Sequence, residues 1–312
     1  MIPKKKVKGK TQVKSLSTRI CEHWQYYVLL APALIFIIIF CYVPMYGATV
    51  AFKNYSSVKG ILGSPWVGFD NFTKLFGMAK FWQVFKNTLV INFIRLIFDF
   101  PAPIILALML NEVRNKVFLR VTQTVVYLPH FISWVVVSGI MFNILSTDGI
   151  MNTIIQSLGG DPVKFLANPK TFRPIVVLSQ IWKEAGWGTI LYLAALANVS
   201  PEYYEAAMLD GASRMKQIIH ITVPAIMPTI SVMLVLRMGQ IMNGGLDQMF
   251  NLINPAVYDV GDVIDTYVYR LGIVDGRFSM AGAVSLFLNI INCAMLLMGN
   301  VLSKKINGSS LY

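Results

Sequence analysis

Apolar positions along the chain gather into six long runs separated by polar stretches, at 26–46, 88–110, 122–145, 172–197, 225–246 and 280–302. A helix that crosses a bilayer needs about 20 mostly apolar residues, because its backbone N–H and C=O groups must bond within the segment where water cannot serve them. Each run meets that length, so the pattern predicts an all-α membrane protein with about six transmembrane helices. No Ser/Gly-rich or Pro-rich linker interrupts the series. The expected organisation is a basic tail at 1–25, one membrane domain at 26–303 and a short tail at 304–312. The first run is too long for a signal-peptide core and no small-residue cleavage pattern follows it, so it is expected to stay in the mature protein.

Composition sharpens this picture. AVILMFWYC residues make up 55% of the chain and charged residues only 13%, about half the charged share of an ordinary soluble domain. The net charge of +12 is not a nucleic-acid signature, because seven of the 27 basic residues fall in the first nineteen positions: Lys4, Lys5, Lys6, Lys8, Lys10, Lys14 and Arg19. Such a run suits the anionic cytoplasmic lipid surface. Arg114, Lys116 and Arg120, then Arg214 and Lys216, then Lys304 and Lys305 fall on the same side of the alternating spans. The ten basic residues assigned to the other side are spread over much longer loops. The positive-inside rule therefore puts both termini in the cytoplasm of a plasma-membrane protein.

Two long loops remain outside. The one at 53–86 carries Pro65, Trp66, Gly68, Phe69 and Phe72, a mixture suited to a folded loop at the membrane interface, and the one at 251–275 carries Asp259, Asp262, Asp265 and Asp275 and reads as mainly solvated. Metal, redox and hydrolytic chemistry find no support. Cys21, Cys41 and Cys293 are scattered, His23, His130 and His220 lack ligand spacing, and Gly9-Lys10-Thr11 lacks the upstream glycine and the strand of a phosphate-binding loop. The chain is not expected to be an enzyme.

The segment 200–224, SPEYYEAAMLDGASRMKQIIHITVP, is unlike a linker. Ser200 followed by Pro201 is a helix start, and Gly211 suits a turn between two short helices because glycine adopts left-handed dihedrals freely. Pro224 is expected to stop the second helix and lead into the fifth membrane helix. The segment resembles the EAA motif of ABC importer permeases: Glu205, Ala206 and Ala207, then Gly211, Ile221, Val223 and Pro224 stand at the motif's spacing, with Val223 replacing its leucine. The phrases LLAPALIFIIIFCYVPMYG, VGFDNF, VYLPHFISWVVVSGI, YLAALANVSPEYYEAAMLDGA and DTYVYRLGI are similar to the polysaccharide-type branch of carbohydrate permeases.

That resemblance implies a MetI-like transmembrane domain of a type I importer whose EAA elbow docks on an ATPase, with Asp210 as a further anchor. The implied partners are a second homologous permease, two ATPase domains that hold ATP and Mg, an extracellular sugar-binding protein, the lipid bilayer and an oligosaccharide substrate. No cofactor is assigned to this chain and no nucleic acid is expected. A different class, an ion-gradient-driven secondary transporter or channel, would work without an ATPase.

Ionisable residues inside membrane helices are costly and mark functional sites by default. Arg95 and Asp99 stand four apart and are expected to pair with each other. Lys183 and Glu184 lie in the fourth run near Trp182 and Trp187, and Arg237 lies in the fifth with Gln240, Asn243 and Asp247. Aromatic rings stack on sugars, and amides and charged groups bond their hydroxyls. By similarity to maltose-type permeases, measured from Glu205 and Pro224, Gln180, Glu184, Trp187, Arg237 and Gln240 are candidate substrate residues, with Asn243 added for its chemistry. They line a substrate path or they pack against the second permease. Facing a cavity, Arg237 would pair with a uronate carboxylate; otherwise Glu184 neutralises it. Pro129 and Gly244-Gly245 are candidate bends in the third and fifth helices.

Overall fold

The structure is a computed structural model that describes residues 22–307, so the basic N-terminal run and Cys21 lie outside the described residues. Among the described residues the regular structure is helical, apart from one isolated antiparallel bridge between Lys53 and Trp66. Helix α1, Trp24–Ile37, continues through a π-helical turn at Ile38–Tyr42 into a 3-10 stretch that ends at Phe52, a 29-residue apolar span. Most of it stands clear of the other helices, and only its end, at Ala51, is buried. Helix α2 is Asp70–Phe76. Helices α3, Ala79–Phe98, and α4, Pro101–Asn111, run on as one 33-residue span, nine residues longer at its start than the apolar run suggested. The extra turns are amphipathic: Phe81 and Val84 are buried while Lys80 is half-exposed.

The predicted third helix, 122–145, is two. Helix α5, Lys116–Tyr127, ends in a 3-10 turn at Leu128–Phe131, and α6, Trp134–Leu145, starts afresh under an Ser133 cap before the short α7, Ile150–Ser157. Helix α8, Pro169–Leu196, is a 28-residue helix and packs against α3, α4 and α5. Five described helical spans are long and apolar enough to cross a membrane, and α8 is the predicted run absent from them. Its Lys170, Arg173, Lys183 and Glu184 dilute its apolarity, which protein neighbours on several sides make tolerable.

The elbow follows as α9, Pro201–Leu209, and α10, Arg214–Gln217. A second π-helical turn, Ile218–Thr222, then feeds straight into α11, Val223–Met238. Pro224 therefore does not stop a helix. It comes second after a π turn, as Pro44 does in the α1 span, where the wider bonding pattern relieves both its missing N–H and the clash of its ring. The predicted fifth helix, 225–246, ends early at Met238. An irregular turn at 239–245, with Gly245 in the left-handed region at φ 80°, leads to α12, Leu246–Leu252. Helix α13, Ile264–Tyr269, and the long α14, Phe278–Asn307, complete the bundle.

The two interruptions are held by side chains from other helices. At the first, Lys183 Nζ donates to the carbonyls of Pro129 (3.3 Å) and His130 (2.6 Å). At the second, Asn92 Nδ2 donates to the carbonyls of Ile241 (2.9 Å) and Asn243 (3.0 Å), and Arg95 Nη1 donates to that of Gly244 (3.1 Å). From the other side, Asp265 Oδ2 accepts the N–H groups of Gly244 (2.8 Å) and Gly245 (3.2 Å). The expected Arg95–Asp99 pair is thus absent. The guanidinium of Arg95 serves Gly244 and Gln248, and Asp99 meets Arg237 of α11 instead. An orphaned buried carbonyl costs about 2 kcal/mol, more than an ordinary pair four residues apart on a helix contributes.

Both predicted loops are folded. The ring of Phe52 stacks on Trp66, with centroids 5.6 Å apart, and Asn71 Nδ2 bonds the carbonyls of Ala51 and Lys53. Residues 251–275 depart from a solvated loop: Asp262 is fully buried between Arg270 (2.6 Å) and Lys80 (3.1 Å), because this stretch folds back over the start of α3. Arg95→Met should lower stability by about 2 kcal/mol by stranding the Gly244 carbonyl. Thermal denaturation in detergent, against the exposed control Lys164→Met, would contradict this by showing equal midpoints.

Candidate functional site

A cavity of about 400 Å3 lies where α8, α11 and the α3–α4 junction meet. Helix α8 presents Gln180, Glu184 and Trp187 to it, at the spacing that puts residues on one helix face. Helix α11 adds Met233 and Arg237, again four apart, and Gln240 comes from the turn beyond. Asp99, Phe100 and Pro103 close the third side. Five of the six candidate residues thus line one space. Asn243 does not: the helix that would have aligned it with Gln240 has already ended, and the turn carries it to a separate cavity of about 720 Å3, where its Oδ1 accepts from Asn292 Nδ2 (3.3 Å).

The charges in this wall are matched. Arg237 Nη2 donates to Asp99 Oδ2 at 2.8 Å. Glu184 does not neutralise Arg237 but binds His130 Nδ1 at 2.7 Å through Oε2 and lies 3.5 Å from Lys183 Nζ through Oε1. The His130 ring stacks on Trp187 with 4.4 Å between centroids and 3° between planes, and Phe131 meets Trp187 edge-on. Trp187 remains 43% exposed. Close approach of α8 to α5 sets this arrangement: a Cβ on Gly186 would overlap the Val126 carbonyl. Glu184 also borders a neighbouring cavity of about 530 Å3, formed with His130, Trp134, Asp247 and Asn251.

Sequence reasoning missed Asp99 and Tyr192, which line this cavity, and His130, which holds Glu184. Asp99 carried the right signal, an acid inside a membrane run, but its nearest basic neighbour in the chain drew the assignment. His130 was weighed only as a metal ligand. Its place beside Pro129, where the helix breaks, was the usable clue.

At the α9–α10 end of the bundle the EAA residues form a compact elbow. The Ser200 side chain accepts from the N–H of Glu202, and Pro201 occupies the first turn of α9. The helix ends in a Schellman arrangement: Gly211, at φ 73°, donates to the Met208 carbonyl and Ala212 to that of Ala207. No residue of α9 is buried; Glu205, Ala206, Asp210 and Gly211 are exposed and Leu209 is 90% exposed. Ala207 and Ile221 are half-buried and Pro224 is exposed at the base of α11.

Residues 99–307, two thirds of the chain, match the model of the binding-protein-dependent transport system inner membrane component. The chain belongs to that family. This permease is 46% identical over 287 residues to protein LplB of Bacillus subtilis (strain 168), covering 92% of this chain and 90% of that one. It is 41% identical over 304 residues to the polygalacturonan/rhamnogalacturonan transport system permease protein YteP of the same organism, covering 97% and 95%. Among solved structures, a chain of a bacterial alginate ABC transporter, in complex with an alginate pentasaccharide-bound periplasmic protein, superposes with a TM-score of 0.88 at 41% identity, over 96% of this chain and all of that one. The permease is therefore a multi-pass inner membrane component of a binding-protein-dependent transport system with the MetI-like fold, and the reading as an ion-gradient-driven carrier falls away.

Gly186→Ala should force α8 away from α5 and lower the unfolding midpoint. Gly139→Ala, where the added Cβ meets nothing within 4 Å, should be neutral or slightly stabilising through helix propensity. Thermal unfolding of the two variants side by side tests the contrast.

Proposed function

We infer that this permease is one membrane subunit of an ATP-driven importer that passes an oligosaccharide, with uronic acid units, along the cavity between α8 and α11. The observation that carries the reading is the convergence of Gln180, Glu184, Trp187, Arg237 and Gln240 on one space, joined through α11 to an exposed elbow of EAA type. Trp187 supplies a stacking face, Gln180, Gln240 and Glu184 supply hydrogen bonds for hydroxyls, and Arg237 supplies a cation for a carboxylate. Two relatives at 41% identity support the acidic class by the polysaccharides in their names, polygalacturonan and alginate.

The side chain of Arg237 is 32% exposed and Asp99 engages it through Nη2, so a ligand carboxylate has the rest of the guanidinium fork to meet. In the assembly, a second homologous permease completes the path, an extracellular binding protein delivers the sugar, and two ATPase domains with ATP and Mg dock on the α9 elbow through Glu205, Asp210 and their neighbours. The elbow and both termini face the cytoplasm on this reading. The breaks at 128–133, around Pro129, and at 239–245, which ends in Gly244-Gly245, let the helices on either side rock against each other.

Two experiments test this. Arg237→Gln combined with Asp99→Asn removes the cation without stranding its partner, and should cut uptake of galacturonate oligosaccharides about tenfold or more, with neutral oligosaccharides of equal length unaffected. Equal loss of both classes would refute the acidic substrate. Separately, an ATPase subunit should copurify with the intact chain and be lost from Glu205→Ala combined with Gly211→Pro; retention by that variant would remove the elbow from the docking site.

A further inference from the structure

The elbow has no buried residue of its own in α9, yet a closed circuit of hydrogen bonds braces it. Tyr204 Oη and Thr222 Oγ1 are 3.0 Å apart, Thr222 Oγ1 donates to the Gln217 carbonyl at 3.4 Å, and Gln217 Nε2 donates to the Ala212 carbonyl at 3.0 Å. Ala212 N–H in turn donates to the Ala207 carbonyl of α9 at 2.9 Å. The circuit joins both arms of the elbow to one point at the foot of α11. That point, Thr222, is buried and closes the π-helical turn Ile218–Thr222. Four residues beyond it, Ile226 is locked among Ala107, Tyr192 and Leu196. On the same run of helix, fifteen residues and about 22 Å from Thr222, stands Arg237 in the cavity wall.

The other tie from the elbow to the bundle, between Arg214 and Glu112, spans 3.7 Å with both side chains well exposed, an arrangement that contributes little. A π turn is a weak place in a helix, since its wider bonding gives poorer geometry than the α pattern. Without a brace across it, a push on α9 would be absorbed there by bending. With the tyrosine hydroxyl fixed to Thr222, the two short helices and the foot of α11 move together.

We propose that Tyr204 and Thr222 form a strut that carries displacement of the elbow across the π turn to α11, and so to the cavity. They are positioning residues that touch no substrate. The strut rests on the coupling reading given above, and its test separates the two. In the assembled importer, with Cys21, Cys41 and Cys293 changed to serine and Gln240→Cys as a reporter, labelling by a water-soluble maleimide is measured with and without ATP and vanadate. The strut predicts that Tyr204→Phe and Thr222→Val each reduce the nucleotide-dependent change in labelling about fivefold, the factor a hydrogen bond of ordinary strength is worth. The double variant should be no worse than either single one, Thr222→Ser should restore the change, and the copurified ATPase should be undiminished throughout. An unaltered response in the single variants, losses that add in the double variant, or loss of the ATPase from the complex would each overturn the strut. Labelling that ignores nucleotide even with Tyr204 and Thr222 intact would instead overturn the coupling reading itself.

Discussion

Everything in this bundle answers to one constraint: a backbone that stops being helical within a membrane must find hydrogen-bond partners in the protein. Among the described residues the breaks at 128–133 and at 239–245 show it, and each recruits a charged side chain from another helix. Lys183 reaches from α8 to the first, and Arg95, with Asn92, reaches from α3 to the second, while Asp265 takes the amides left over. Gln248 completes the frame by accepting from Arg95 and donating to the Val176 carbonyl (2.7 Å) and to Ser179 Oγ (2.9 Å), so α3, α8 and α12 are tied at one level. The breaks are also what opens space. A continuous fifth helix would carry its side chains past the midpoint in register. The turn at 239–245 leaves Gln240 on one cavity and swings Asn243 to another.

The same logic separates the intramembrane charges that prop backbone from those that do not. Lys183 is buried and bonded to two carbonyls, and Arg95 is buried and bonded to Gly244, Asn92 and Gln248. Both therefore hold backbone at a break. Arg237 differs because it props no backbone. It makes a single ion pair, to Asp99, at the wall of a cavity.

Much of the architecture was legible in the chain because bilayer thickness and the EAA spacing are strong, local signals. Every apolar run contains helix, and Ser200, Pro201 and Gly211 cap, start and turn the elbow as their chemistry dictates. What was not legible came from long-range partners. The spacing of Arg95 and Asp99 was correctly read as one helix face, but no spacing rule reveals an orphaned carbonyl 149 residues away at Gly244. Pro224 was read as a stop because a π turn leaves no sequence mark as plain as a proline. Gly244-Gly245 was noted as a bend, although the helix gives way six residues sooner, after Met238. Gln240 survived that error and Asn243 did not, since only the first still lies beside the last turn of α11.

The pairing of Arg237 with Asp99 bears on how a transporter can recognise a carboxylate and still let it go. A lone guanidinium in a largely apolar wall would be expensive to maintain when empty, and would hold an anion too firmly to release it. With Asp99 in place Arg237 has a partner in the empty cavity, and on the proposed reading an arriving uronate exchanges or shares that partner instead of filling a vacancy. The net gain is the difference between two similar ion pairs, small enough for a modest shift of α11 to reverse. Glu184, on the α8 side of the same cavity, is held by His130 and lies near Lys183, so on the proposed reading both of its oxygens have partners before an acidic sugar arrives. On the proposed reading, selectivity for acidic oligosaccharides then comes from the orientation of the Arg237 fork beside Trp187, and not from an excess of positive charge, which this cavity does not have.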